Sequence, residues 1–126
     1  MNAPESFQIA EGYAIYRPIG NVSLQEAISL VSQAITFARD SQIGRLLVDS
    51  TKLTGFGPIG TVDRYKMGEQ FANAGSLSVR LAMVARAELI DPQRFGVTVA
   101  RNRGLDVDVF TSEAKALAWL LDLKAE

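Results

Sequence analysis

The stretch RLLVDSTKLTGFGPIGTVDRY, residues 45–65, joins an apolar run to a glycine-rich loop and then to the start of a helical pattern. Its first part, RLLVD (45–49), is apolar at three consecutive positions, Leu46, Leu47 and Val48. That is expected of a strand covered on both faces, since a strand with one wet face alternates. Beyond the loop, Val62, Tyr65, Met67, Phe71 and Ala72 mark a helix that stops around Gly75. A buried strand followed by a helix is half of a parallel β-α-β unit, so the fold turns on whether the alternation continues on both sides.

It continues in both directions. Upstream, FQIAEG and YAIYRPIG read as two short strands with a hairpin turn at Glu11-Gly12, and Pro18 pushes the second toward a sheet edge or a strand end. Ser23 and Glu26 form a capping box for a helix through Leu24, Ala27, Ile28, Val31, Ala34, Ile35 and Ala38, ending near Asp40. Downstream, VRLAMVA (79–85) is a strand. Asp91 as N-cap with Pro92 behind it starts a third helix, closed by Gly104 in a left-handed C-terminal position after Arg101 and Arg103. LDVDVF (105–110) is the last strand, and Thr111 caps a final helix through Ala114, Leu117, Ala118 and Leu121. The order ββαβαβαβα predicts an α/β fold: one domain over residues 1–126, a mostly parallel four- to five-stranded sheet with an N-terminal antiparallel edge strand, and about four helices. Ligands of such sheets sit beyond the carboxyl ends of the strands.

Composition narrows the chemistry. In 126 residues there is no cysteine and no histidine, which removes disulfides, thiolate metal sites, Cys/His nucleophile pairs and a histidine base. Neither a metal nor a cofactor is expected, and no catalytic constellation is found. The 13 basic and 14 acidic side chains leave a net charge of −1, too small a field to gather nucleic acid. The N-terminal MNAPESFQIAEG has neither a positive region nor an apolar core like that of a leader, and no apolar stretch approaches the roughly 20 residues that span a bilayer. The expectation is a cytoplasmic protein without membrane insertion, whose partner is a small molecule or another protein.

The loop TGFGPIGT (54–61) spells G-x-G-x-x-G through Gly55, Gly57 and Gly60. A dinucleotide fingerprint needs its first glycine at the turn leaving the strand, where the helix N-terminus aims its amides at a pyrophosphate. Here residues 50–54 intervene, Pro58 removes a donor from the middle of the cradle, and the next strand runs into Arg86 instead of an acidic residue. The segment is read as a connector closing onto a helix. Thr54, Gly55, Phe56, Gly57, Pro58, Ile59, Gly60, Thr61 and Arg64 are kept as a candidate loop or switch site. Asp63 and Arg64 either line a cleft over the loop or belong to an exposed helix N-terminus, where Asp63 suits the dipole.

Taken together, the element order, the segment LLVDSTKLTGFGPIGTVDRY and the ending RNRGLDVDVFTSEAKALAWL resemble the SpoIIAA-like, or STAS-like, family over nearly the whole chain, from about Phe7 to Leu121. In the anti-sigma-factor antagonists of that superfamily, the loop after the central strand carries a serine phosphorylated by a partner kinase. Aligned on that pattern, Gly57, Pro58, Ile59 and Gly60 fall at the motif and the serine is absent, with Ser50, Thr51, Thr54 and Thr61 the nearby hydroxyls. Thr61 is either the N-cap of the following helix or a conceivable phosphorylation switch. The resemblance implies the looser STAS-like branch and a non-catalytic regulatory or protein-interaction module. Similarity of that branch to lipid-carrying Sec14-like domains implies the alternative, a carrier of a lipid or fatty acid.

Two further groups are singled out. Asp106 and Asp108 share one face of LDVDVF, either as a working carboxylate pair or as a solvated face. Tyr65, Met67 and Phe71 are core residues first and pocket walls second, while Trp119, Leu120 and Leu123 spread apolar character around the last helix. These six are candidates for a pocket or an interface. A homodimer predicts an exposed apolar patch; a carrier predicts a cavity between sheet and helices containing Tyr65, Phe71 and Trp119.

Overall fold

The computed structural model, which describes residues 3–123, runs in the order β1 (Phe7–Ala10), β2 (Tyr13–Tyr16), β3 (Gly20–Asn21), α1 (Leu24–Asp40), β4 (Arg45–Asp49), β5 (Leu53–Thr54), α2 (Thr61–Gly75), β6 (Arg80–Val84), a 3₁₀ turn (Ala87–Leu89), α3 (Phe95–Asn102), β7 (Asp106–Phe110) and α4 (Glu113–Leu120). Five strands form the main sheet in the order β1-β2-β4-β6-β7. All neighbours are parallel except β1, which folds back antiparallel on β2 as the edge strand. The chain is thus a mostly parallel α/β domain with an antiparallel edge pair.

Each crossover, from β2 to β4, β6 and β7, advances by one strand in the same direction. Right-handed crossovers of that kind lay their helices on one face. The strand side chains record the consequence, because they alternate between faces. Leu46, Val48, Leu81 and Val107 enter one core with Ile28, Val31 and Ile35 of α1, Phe71 of α2 and Ala100 of α3. Leu47, Ala82 and Val84 enter a second core with Ala116 and Leu120 of α4, the one helix packed on that face. Leu46, Leu47 and Val48 have no solvent exposure, which is why RLLVD carries no polar position inside it. Burying each such side chain stabilises the fold by roughly 1.5–3 kcal/mol.

Several ends differ from the sequence reading. The Ser23 and Glu26 capping box of α1 forms as expected, and Gly104 follows α3 with a φ of +97°. Thr61 is not an N-cap: Gly60 occupies that position, and no side chain caps α2. Ser112, not Thr111, caps α4 by accepting from the Lys115 amide. Asp91 is not the N-cap of α3: Arg94 occupies that position with a φ of +53° and no side-chain cap. The Asp91 carboxylate instead accepts from the Phe95 and Gln93 amides while the chain makes a turn through Pro92, so the helix starts three residues later than Pro92. Pro18 lies buried just past the end of β2, which is an inner strand. The short parallel pair β3 and β5 and the 3₁₀ turn are additions, since two- and three-residue elements leave no periodicity to read.

Candidate functional site

An apolar pocket of about 140 Å³ lies between the sheet and the three helices of the larger core, partly open to solvent. Its floor is built by period-two alternation: Ser50 beyond β4, Met83 and Ala85 at the end of β6, and Val107 and Val109 of β7 all point to the helix side. Its walls come from rows at helical spacing, Leu24, Ala27, Ile28 and Val31 on α1, Arg64, Met67, Gly68 and Phe71 on α2, and Gly96, Val97 and Ala100 on α3. The pocket therefore sits at the carboxyl ends of the parallel strands, among the N-terminal turns of three helices. α2 and α3 approach closely there, because a Cβ on Gly68 would stand 2.7 Å from the Gly96 carbonyl oxygen and 3.0 Å from Val99 Cβ.

The glycine loop forms part of the rim, and its two halves are held differently. Ser50 donates to the Val84 carbonyl through both its amide and its hydroxyl, each at 2.9 Å. Asp49 accepts from the Thr51 amide and hydroxyl, and the chain turns into β5. Gly55 follows at a φ of +105°, with the Val22 carbonyl so close that a Cβ would lie 2.5 Å from its oxygen. This position admits only glycine, and it fastens the loop to the segment before α1. Beyond it, Phe56 and Ile59 turn into the pocket, while Gly57 and Gly60 face open space. Arg64, one turn into α2, donates through Nε to the Ile59 carbonyl and through Nη2 to the Leu89 carbonyl, each at 3.1 Å. One guanidinium thus joins the loop to the 3₁₀ segment across the rim.

Polar groups on the lining are few. Besides Ser50 and Arg64 there are Asp91 and Arg94. The Asp91 carboxyl is held below its usual range, first by the Phe95 amide, then by the Gln93 amide, with a smaller contribution from the Arg64 charge. Arg94 pairs with Asp108, which also lies 3.4 Å from Arg101. Asp106 pairs with Arg80 at 2.8 Å. Each carboxylate of LDVDVF is therefore engaged by arginines, so neither stands as a free working group. Among the described residues no cluster of three or more acidic side chains is arranged to hold a metal.

The structure brings Phe56, Ile59, Arg64, Met67 and Phe71 together around the pocket and leaves Thr54, Gly55, Gly57, Pro58, Gly60 and Thr61 outside its lining. Tyr65 is displaced from the expected cavity. It is 41 % exposed on the outer side of α2, where its hydroxyl accepts from Arg103 at 2.6 Å. Trp119 is displaced further, because α4 packs on the opposite face of the sheet; there its ring meets Phe110 and lies 3.8 Å beneath the Arg80 guanidinium. Leu120, expected to be hard to bury in one chain, is fully buried beside Leu47, and of that trio only Leu123 stays largely exposed, at 59 %. The α1 row, the strand-end residues Met83 and Ala85, and Leu89, Ile90 and Asp91 were missed as site residues. A signal existed for α1 alone: Leu24, Ala27, Ile28 and Val31 form its amino-terminal apolar row, pointing where the carboxyl-end rule puts a ligand.

No helix among the described residues is long and apolar enough to cross a membrane. Compared with models of known protein families and with curated proteins, the chain matches none.

Proposed function

We propose that this chain is a non-catalytic, STAS-like module whose working site is the apolar pocket at the carboxyl ends of its strands, and that it acts by binding a small, largely apolar molecule there. The observation that carries the reading is the pocket's position and lining: three helices and the ends of three parallel strands converge on it with few polar groups. Its polar groups are tied to structural partners. The Ser50 hydroxyl donates to Val84, Asp91 accepts from the Phe95 amide, and Arg64 bridges two backbone carbonyls, so no nucleophile stands beside a base. Size selects among ligands. A cavity of about 150 Å³ takes up a molecule such as benzene, so the enclosed part of this pocket suits an apolar body of about six carbons. A long acyl chain would overrun it.

The test combines native mass spectrometry of the purified protein with amide-resolved NMR during a toluene titration. An adduct released on denaturation, or toluene shifts confined to residues such as Ala27, Gly68, Ala85 and Val97, is the expected result. Ala85→Leu, which fills the pocket from the sheet side, should abolish those shifts. Toluene shifts that are absent in the unaltered protein, together with no adduct, would sink the reading.

A second reading, association through the sheet edge, is favoured by one observation. Among the described residues β1 has no partner on its outer side, and Ile9 on it is 66 % exposed. A dimer mass in the same native spectrum, lost on Ile9→Lys, supports it, and a monomer at all concentrations removes it.

A further inference from the structure

The pocket contains the one arginine that has no carboxylate partner among the described residues. Among the described residues, eight of the nine arginines lie within 4.0 Å of an Asp or Glu oxygen, and Arg64 does not. Its guanidinium is nonetheless fixed in place, by Ile59 on one side and Leu89 on the other. Those bonds use one hydrogen of Nε and one of Nη2, and the remaining donors, including all of Nη1, have no acceptor among the described residues. A cation held rigidly by neutral carbonyls at the rim of an apolar pocket, with donors to spare, is pre-organised for an anion.

The surroundings offset that charge only in part. Asp91, the one carboxylate on the lining, has its two oxygens turned to the amides of Gln93 and Phe95, and its interaction with the Arg64 charge is the smallest of the influences on it. Asp108, just outside it, is shared between Arg94 and Arg101. The first turn of α2, which carries Arg64, has no side-chain cap, and Asp63 supplies one negative charge to that end of the helix dipole.

We infer that the ligand is a small organic anion, an apolar body of about six carbons in the pocket with a carboxylate or similar oxyanion on Arg64. The inference rests on the pocket reading above and adds the charge. Arg64 acts here as a binding residue and, through Ile59 and Leu89, as the group that keeps the rim in place.

The experiment uses a matched pair of probes, benzoate and its neutral analogue benzamide, titrated into the unaltered protein and followed by amide NMR. For probes of this size dissociation constants in the high-micromolar to millimolar range are expected. Benzoate should bind roughly tenfold more tightly than benzamide, as a charge-assisted contact at a partly exposed site provides, and should weaken with added sodium chloride while benzamide does not. Arg64→Met, which keeps the apolar stem, should bring benzoate down to the benzamide level, and Arg64→Lys should restore part of the preference. Equal binding of the two probes to the unaltered protein overturns the inference and leaves the pocket reading standing. A preference that survives in Arg64→Met overturns the assignment to Arg64, and binding of neither probe overturns the inference, while the toluene titration separately decides the pocket reading. If Arg64→Met also loses benzamide because the rim has loosened, the probe preference and salt dependence of the unaltered protein decide the matter.

Discussion

Replacing Gly68 by alanine sets two effects of known size against each other. In the middle of α2 the exchange improves helix propensity by about 1 kcal/mol, and on local grounds alone the variant should be more stable. Packing opposes it. The new Cβ would meet the Gly96 carbonyl oxygen at 2.7 Å and Val99 at 3.0 and 3.1 Å, and the closest of these contacts is backbone, which cannot rotate away. α3 must therefore move off α2 by several tenths of an ångström along their whole contact. Overpacking of this kind costs about 1–3 kcal/mol, and a backbone obstruction places it in the upper half of that range. The net expectation is a loss of about 1–2 kcal/mol, a fall in melting temperature of roughly 4–8 °C for a chain of this length. Urea denaturation followed by circular dichroism measures it, with Gly57→Ala as the control. Gly57 faces open space without a left-handed φ, so its alanine should be neutral or stabilising by up to about 1 kcal/mol. A Gly68→Ala protein as stable as the parent would refute the close approach of α2 and α3, and with it the shape of the pocket wall they share.

Other consequences are open to the same denaturation assay. Leu120→Ala should cost about 2–5 kcal/mol, whereas Leu123→Ala should stay within about 0.5 kcal/mol, because the first fills the α4 core and the second projects into solvent. Ser112→Ala should cost about 0.5–2 kcal/mol, and Thr111→Ala should be close to neutral, which separates the observed cap from the expected one. Glu113 accepts from Arg17 through both oxygens at 2.8 Å, and that contact lowers its carboxyl to about 2. A depressed carboxyl contributes stability above its unfolded value of 4.5 that disappears as pH falls toward 2. Because both side chains are about a third or more exposed, the contribution is under about 1 kcal/mol. Glu113→Gln should therefore be slightly less stable than the parent at pH 7, and the two should converge between pH 4.5 and 2; a constant difference across that window contradicts the assignment.

Five of the pocket's lining residues were visible in the sequence without being visible as one site. Arg64, Met67 and Phe71 stand three and four residues apart on a helix, and Phe56 and Ile59 are the apolar side chains of the glycine loop, so each was a candidate. The partners they meet lie far away in sequence. Arg64 bonds to Leu89, 25 residues on, through a backbone carbonyl that has no side-chain signature. Tyr65 shows the opposite limit. It follows Arg64 directly and shares its helix, but a step of one residue turns it about 100° around the axis, out of the pocket and against Arg103.

The sequence by itself determined the order and kind of the longer elements. Three consecutive apolar residues in RLLVD require cover on both faces, the spacing in α1 and α2 allows only one buried side, and Ser23 with Glu26 starts a helix in any context. These are local effects, decided within one or two turns of chain. Which face each helix covers was decided by tertiary structure. α1, α2 and α3 share a face because each connects parallel neighbours by a crossover that advances the same way, while α4 follows the last strand, connects nothing within the described residues and packs on the other side. Trp119 was assigned to the wrong core for that reason: its apolar surface demands burial, but apolar surface carries no direction, and the side of the sheet on which it is buried is set by the path of the chain.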